Sequence, residues 1–147
     1  MNVVRRALVF LSLCLASCIN KPAQDARGPD GRTCGQRLLG GSWKFTGFAP
    51  FSQTDPAMLA EIEAVHGQIR LGFDGQNAFT TGAGISNVGP YRIDADSAMT
   101  CKVVAPDGTG LVTETDIRFL DPNSIEVIDR RSQTPGRSTM IRVPQGQ

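Results

Sequence analysis

From Leu38 onward the chain breaks into short, β-branched and aromatic runs, each stopped by a turn rich in Gly, Pro, Asp or Asn. That punctuation limits the fold more than any other feature. Ser42–Phe48 alternates as a strand, and Gln68–Phe73 and Asn77–Thr81 flank Asp74-Gly75, a hairpin turn. Further strands are expected over Val88–Ile93, Met99–Ala105, Gly110–Phe119, Ser124–Asp129 and Arg137–Val143. Pro106-Asp107-Gly108, Asp121-Pro122-Asn123 and Thr134-Pro135-Gly136 supply the turns between them. One helix interrupts the series: Asp55 suits its N-cap and Pro56 its first position. Met58, Leu59, Ile62 and Val65 recur at helical spacing, and Gly67 ends it. Consecutive strands with short links form an antiparallel meander, and curling removes the edges such a sheet exposes. The expected fold class is all-β: a single small antiparallel β-barrel or closed meander of about seven or eight strands with one short helix.

The amino terminus is of another kind. Arg5 and Arg6 form a positive n-region with no acid before Asp25, and the apolar run Ala7–Leu15 follows. A membrane-spanning helix needs ~20 apolar residues, so this run is too short to be a permanent span. It reads as an export signal over residues 1–17 rather than a helix packed on the domain, since the polar stretch behind it offers nothing to pack with. Leu15-Ala16-Ser17-Cys18 resembles the lipobox of bacterial lipoproteins. The resemblance implies cleavage between Ser17 and Cys18 and acylation of Cys18. Each buried methylene contributes ~0.8 kcal/mol and one chain holds only marginally, so two or three acyl chains make a stable anchor. Ile19, in place of an aspartate, favours the outer membrane under the family's sorting rule. The implied partner is therefore the membrane, through acyl chains on Cys18. The implied location is the cell envelope, facing the periplasm or the cell surface. Arg5-Arg6 lacks the flanking residues of a twin-arginine signal, which favours general secretion.

Residues 18–37 read as the lipidated cysteine and a flexible tether, with Lys21-Pro22 and Gly28-Pro29-Asp30-Gly31 breaking any regular structure. Residues 38–147 then form the domain. The mature chain of about 130 residues is enough for one modest core. With Cys14 lost and Cys18 acylated, Cys34 and Cys101 remain. An oxidising compartment lets them pair, and closing so long a loop contributes ~4 kcal/mol in the chain-entropy view. A metal or redox pair needs further ligands or a close C-x-x-C spacing, which leaves two buried thiols as the alternative to the disulfide. Net charge is +1, and removing Arg5 and Arg6 from fifteen basic residues against fourteen acidic ones leaves −1. With no basic stripe interleaved with aromatics, nucleic acid is excluded as a partner.

Gly41-Ser42-Trp43 opens the first strand, and this Gly-x-Trp resembles the start of lipocalins and their calycin relatives. In those families a basic residue on the last strand covers the tryptophan, which points to Arg142 (or Arg137), a cation–π contact of ~0.5–2 kcal/mol. The resemblance implies a barrel able to take a lipid or small apolar ligand. The chain is shorter than those families, and its helix follows the first strand instead of lying near the end. On its own residues Trp43 reads as a core anchor, which the calycin reading accommodates. A second resemblance is to the META domain of bacterial envelope proteins. It rests on Phe73-Asp74-Gly75, Gly82-Ala83-Gly84-Ile85-Ser86-Asn87, Gly89-Pro90-Tyr91 and Met99-Thr100-Cys101, with Ile85-Ser86 standing where that family has a cysteine.

Few residues point to chemistry. His66, the only histidine, falls at the C-terminal end of the expected helix, where an imidazolium suits the dipole. Capping or solvent exposure is expected of it, because no nucleophile motif accompanies it. Asp94 and Asp96 lack the other oxygen ligands of a calcium loop and read as a solvated turn. Gly82-x-Gly84 lacks the Lys and Ser/Thr of a phosphate loop. Glu61, Glu63, Arg130 and Arg131 read as solvated faces. The expectation is a non-enzymatic protein with no catalytic residues, metal or cofactor. It would be an envelope lipoprotein that binds a lipid or small apolar molecule; the alternative is a filled-core module that binds another envelope protein. Interior volume separates the two. The bulk of Phe45, Leu71, Phe73, Phe79, Tyr91, Ile117, Phe119 and Val127 favours the filled barrel.

Overall fold

A computed structural model describes residues 28–106 and 110–144. The expected export signal, with Ser17, Cys18 and the first part of the expected tether, lies outside the described residues. No helix among the described residues is long and apolar enough to cross a membrane.

The described chain runs α1 (Cys34–Leu38), β1 (Ser42–Pro50), α2 (Pro56–His66), β2 (Arg70–Phe73), β3 (Asn77–Gly82), β4 (Ile85–Pro90), β5 (Arg92–Asp94), β6 (Thr100–Pro106), β7 (Val112–Asp121), β8 (Ser124–Asp129) and β9 (Gly136–Val143). The nine strands form one antiparallel sheet in the order β4-β3-β2-β1-β9-β8-β7-β6-β5. Apart from the β1–β9 pair, hydrogen-bonded neighbours are consecutive in sequence. The long β1–β9 pairing, from Ser42↔Val143 to Pro50↔Gly136, joins the two ends of the meander. The sheet therefore curls into a nearly closed barrel whose edges among the described residues, β4 and β5, lie on either side of Tyr91.

The strand count exceeds the expected seven or eight because the segment expected as Val88–Ile93 is two strands. Pro90 has no N–H to continue a ladder, and at Tyr91 the chain passes from β4, which pairs with β3, to β5, which pairs with β6. β4 also starts earlier, at Ile85. The hairpin before it is only Ala83-Gly84, both with positive φ (51° and 78°), the conformation of a tight two-residue turn.

A second correction concerns the tether. Its boundary at residue 37 falls inside α1. Thr33 caps this helix: its hydroxyl accepts from the Gln36 N–H, and the Gln36 side chain accepts from the Thr33 N–H, a reciprocal capping box. α2 forms as expected, with the Asp55 carboxylate accepting from the Ala57 and Met58 N–H groups. None of its residues is fully buried, so it rides on the barrel's outside or rim rather than forming core.

Alternation sets the interior. Trp43, Phe45, Phe73, Cys101, Val103, Ile117, Phe119, Ile125 and Met140 form one buried cluster with Cys34 and Leu38 of α1. The opposite face of β6–β9 carries ion pairs, among them Arg118–Glu126 at 2.9 Å and Lys102–Glu114 at 3.2 Å. Gly72 shows why one aromatic is missing from the core. It faces outward with its partner Phe79, whose ring lies 2.0 Å from where a Cβ on Gly72 would be.

Candidate functional site

The two ends of the barrel differ in chemistry, and the closed end holds most of the residues singled out in the sequence. Cys34 and Cys101 are joined by a disulfide across a sequence separation of 67, with their Cα atoms 5.7 Å apart. The Cys34 N–H donates to the Ser97 carbonyl at 2.6 Å, and the Gly35 N–H donates to Asp96 Oδ1 at 2.9 Å. Asp96 is thus not part of a solvated turn. It fixes α1 to the β5–β6 connection, while Asp94 pairs with Arg92 at 3.3 Å. The Asp96 carboxylate and the two sulfurs lie within 4.8 Å of one another. Metal binding by cysteine uses the thiolate, and here the sulfurs are bonded to each other.

Trp43 is fully buried. Its Nε1 donates to the Leu38 carbonyl at 3.4 Å, and its ring meets Phe119 edge-on at 5.6 Å. The Arg142 guanidinium lies 4.4 Å from the Trp43 ring centroid. It also donates to the carbonyls of Arg37 and Leu39 (the latter at 3.3 Å), which α1 leaves free at its C-terminal end. Burial, reinforced by the nearby Arg32, draws the Arg142 pKa down from its ordinary value; guanidinium still stays charged at neutral pH. Gly41 completes the arrangement. A Cβ there would lie 3.1 Å from Arg142 Nη1 and 3.3 Å from its Cγ, so glycine leaves the path the arginine side chain takes.

His66 lies in the last turn of α2, where it was expected, but its ring is half-buried and not exposed. It packs edge-on against Phe45 at 5.2 Å and Phe48 at 6.0 Å. Burial lowers its pKa, partly opposed by the charge of Asp129.

The other end is open. A cavity of about 600 Å³ lies between β2–β3–β4 on one side and β6–β7 on the other. Leu71, Phe73, Val103 and Ile117 give it apolar walls, and Thr80, Asn87, Thr113 and Thr115 give it polar ones. Lining residues Ser86, Asn87, Val88, Pro90 and Pro106 are exposed, so it communicates with solvent. It lies beside the seam where the ladder is broken: β4 and β6 come together without pairing, and a Cβ on Gly89 would sit 3.7 Å from Pro106 Cγ. The volume runs against a filled barrel. Of the bulky residues counted toward filling, Phe79 faces outward and Tyr91 packs edge-on against Phe73 at 5.1 Å, where burial raises its phenol pKa. The positions that would have to fill this end are threonines, Ala78, Gly89 and Asn87.

None of the cavity's threonines was singled out in the sequence, and Asn87 entered only as the last residue of the Gly82–Asn87 run in the META resemblance, not as a binding residue. The pattern Thr113-x-Thr115-x-Ile117 does place three residues on one face. Recognising that face as the inner one takes Ile117 as its guide. No protein-family model, curated protein or solved structure gives a significant match to this chain.

Proposed function

We propose that this chain is a lipid-anchored envelope protein whose barrel binds a lipid or other small apolar molecule and catalyses no reaction. The observation that carries the binding role is the cavity of about 600 Å³. Ligand pockets commonly measure ~300–1,000 Å³, apolar in the main with a few placed polar groups, and small barrels without ligands are filled by side chains. The calycin resemblance gains support from Arg142 over Trp43 and from Gly41 beside it, though these residues serve the closed end and not the cavity. The anchor rests on the n-region, the apolar run and the lipobox ending in Cys18. Outer-membrane placement rests on Ile19.

The reading is tested in two parts. Cys18→Ser should leave precursor or soluble protein and no acylated, membrane-bound form; a processed mutant still partitioning into detergent without acyl mass would sink the lipoprotein part. Native mass spectrometry of the wild-type chain should show a bound small molecule that Thr115→Trp, which fills the cavity, displaces. Identical spectra for both proteins would refute binding there.

One observation favours the second reading, a module that docks on another envelope protein. β4 is an unpaired edge with Val88 70 % exposed, and an open edge can accept a partner's strand. Retention of a partner by the Thr115→Trp variant, with loss on Val88→Lys, would support it over ligand binding.

A further inference from the structure

The cavity's walls carry information about what enters it. Among the described residues, no charged side chain lines it. Apart from Ser86 at the exposed rim, its polar side chains come from two sides: Thr80 and its β4 partner Asn87 from one, Thr113 and Thr115 of β7 from the other. The register puts all four on the same face as core residues. Thr80 is the partner of Leu71, and Thr115 that of Val103. Thr113 Oγ1 is already engaged, donating to the Ala105 carbonyl at 3.1 Å. Among the described residues, the side chains of Thr80, Asn87 and Thr115 make no hydrogen bond. They are donors and acceptors at once, and they stand beside the apolar surface of Leu71, Phe73, Val103 and Ile117.

We propose that the ligand is an uncharged amphiphile. Its apolar body rests on Leu71, Phe73, Val103 and Ile117, and its hydroxyl, ester or amide head is hydrogen-bonded by Thr80, Asn87 and Thr115. This rests on the reading of the cavity as a binding site. The reasoning is one of compensation. A carboxylate or ammonium moved into this space meets no counter-charge among the described lining residues, and a buried unpaired charge is costly. A hydroxyl or ester carbonyl, by contrast, exchanges its hydrogen bonds to water for bonds to groups that both give and accept. A ligand with no polar head would leave three polar side chains covered and unpaired. The site therefore selects against ions and against plain hydrocarbon.

Four ten-carbon probes separate these cases: decane, 1-decanol, decanoic acid and decylamine, titrated calorimetrically into the purified full-length chain at pH 7. Decanol should bind at least about tenfold more tightly than the acid or the amine, both ionised at this pH. In the double variant Thr80→Val and Thr115→Val, of nearly unchanged shape, decanol should lose about five- to tenfold in affinity while decane gains or holds. Binding of the acid or amine as tight as decanol, or decanol affinity indifferent to the two threonines, would overturn the uncharged-head assignment and leave the cavity as a binding site. Failure of all four probes to bind the wild-type chain would instead overturn the cavity reading beneath it.

Discussion

The α1 end and the seam end of this barrel are built from the same sheet on opposite plans. At the α1 end large side chains meet: Trp43 is fully buried, Phe119 stands edge-on to it, and a disulfide and Arg142 hold the helix over both. At the seam the strands approach without pairing, Val88 is 70 % exposed, and threonines stand where core residues would close the space. One end concentrates buried apolar surface and cross-links, the other gives them up for an opening. Such unevenness is expected to concentrate local stability at the α1 end, and under the proposed binding role the less stable end is the one that takes the ligand.

The largest effect is expected at the centre of the α1 end. Trp43→Ala should cost ~3–5 kcal/mol, measured by urea unfolding, as for other large core truncations. Arg142→Ala should cost less. The double variant should fall short of the sum, because the guanidinium and the ring touch. A Trp43→Ala loss below ~1 kcal/mol, the range of surface changes, would show that the α1 end is not the stable one.

Next in size is the disulfide. The double variant Cys34→Ser and Cys101→Ser should lose ~2–4 kcal/mol relative to the oxidised protein. Hydrogen exchange should quicken first over α1, since the Gly35–Asp96 and Cys34–Ser97 hydrogen bonds then hold it without a covalent link. The decanol affinity expected of the cavity should persist. Two alkylatable thiols in the exported, unreduced protein would refute the cross-link itself.

A smaller effect should come from pH. His66 has its pKa lowered in the fold by burial against Phe45 and Phe48. The unfolded chain therefore takes up the proton first. The contribution of neutral His66 is fully present above pH ~6.5 and is lost as pH falls through that value toward the lower folded one. His66→Phe keeps a ring in place and should flatten the dependence between pH 7.5 and 5.5. An unchanged pH profile in that variant would assign the dependence to other groups.

Much of the closed end was legible in the sequence, and little of the open end was. Two leftover cysteines and the single tryptophan are rare residue types, so each constrains its own neighbourhood, while Arg142 was placed by the calycin resemblance. Asp74-Gly75 marked its hairpin because the turn requires the positive φ of Gly75. The cavity depends instead on which face of β3, β4 and β7 turns inward. Threonine serves either face of a strand, and only the pairing of Thr80 with Leu71 and of Thr115 with Val103 resolves it. Counting Phe79 toward the core failed for the same reason, since its face follows from Gly72 across the ladder. α1 was hidden by its surroundings. Thr33-x-x-Gln36 is a capping-box signal, yet it lies in a stretch whose glycines and prolines read as tether.

The smallest effect expected lies in the hairpin that leads into the open edge. Ala83 and Gly84 form its turn with φ of 51° and 78°. Gly84 adopts that conformation freely, whereas an alanine there has its Cβ too near the following carbonyl, at ~1–2 kcal/mol. Asparagine tolerates the left-handed region better, and Asn-Gly is the preferred pair for this turn. Ala83→Asn should therefore stabilise the protein by ~0.5–1 kcal/mol in urea unfolding, through relief of backbone strain alone. The register set by Gly82↔Ile85 should stay as it is, so Thr80 and Asn87 keep facing the cavity and decanol affinity should not change. A stabilising change that also altered affinity would show that the turn's strain is coupled to the cavity. A loss of stability would mean that β4 is not held in this register, and the wall it contributes to the cavity would go with it.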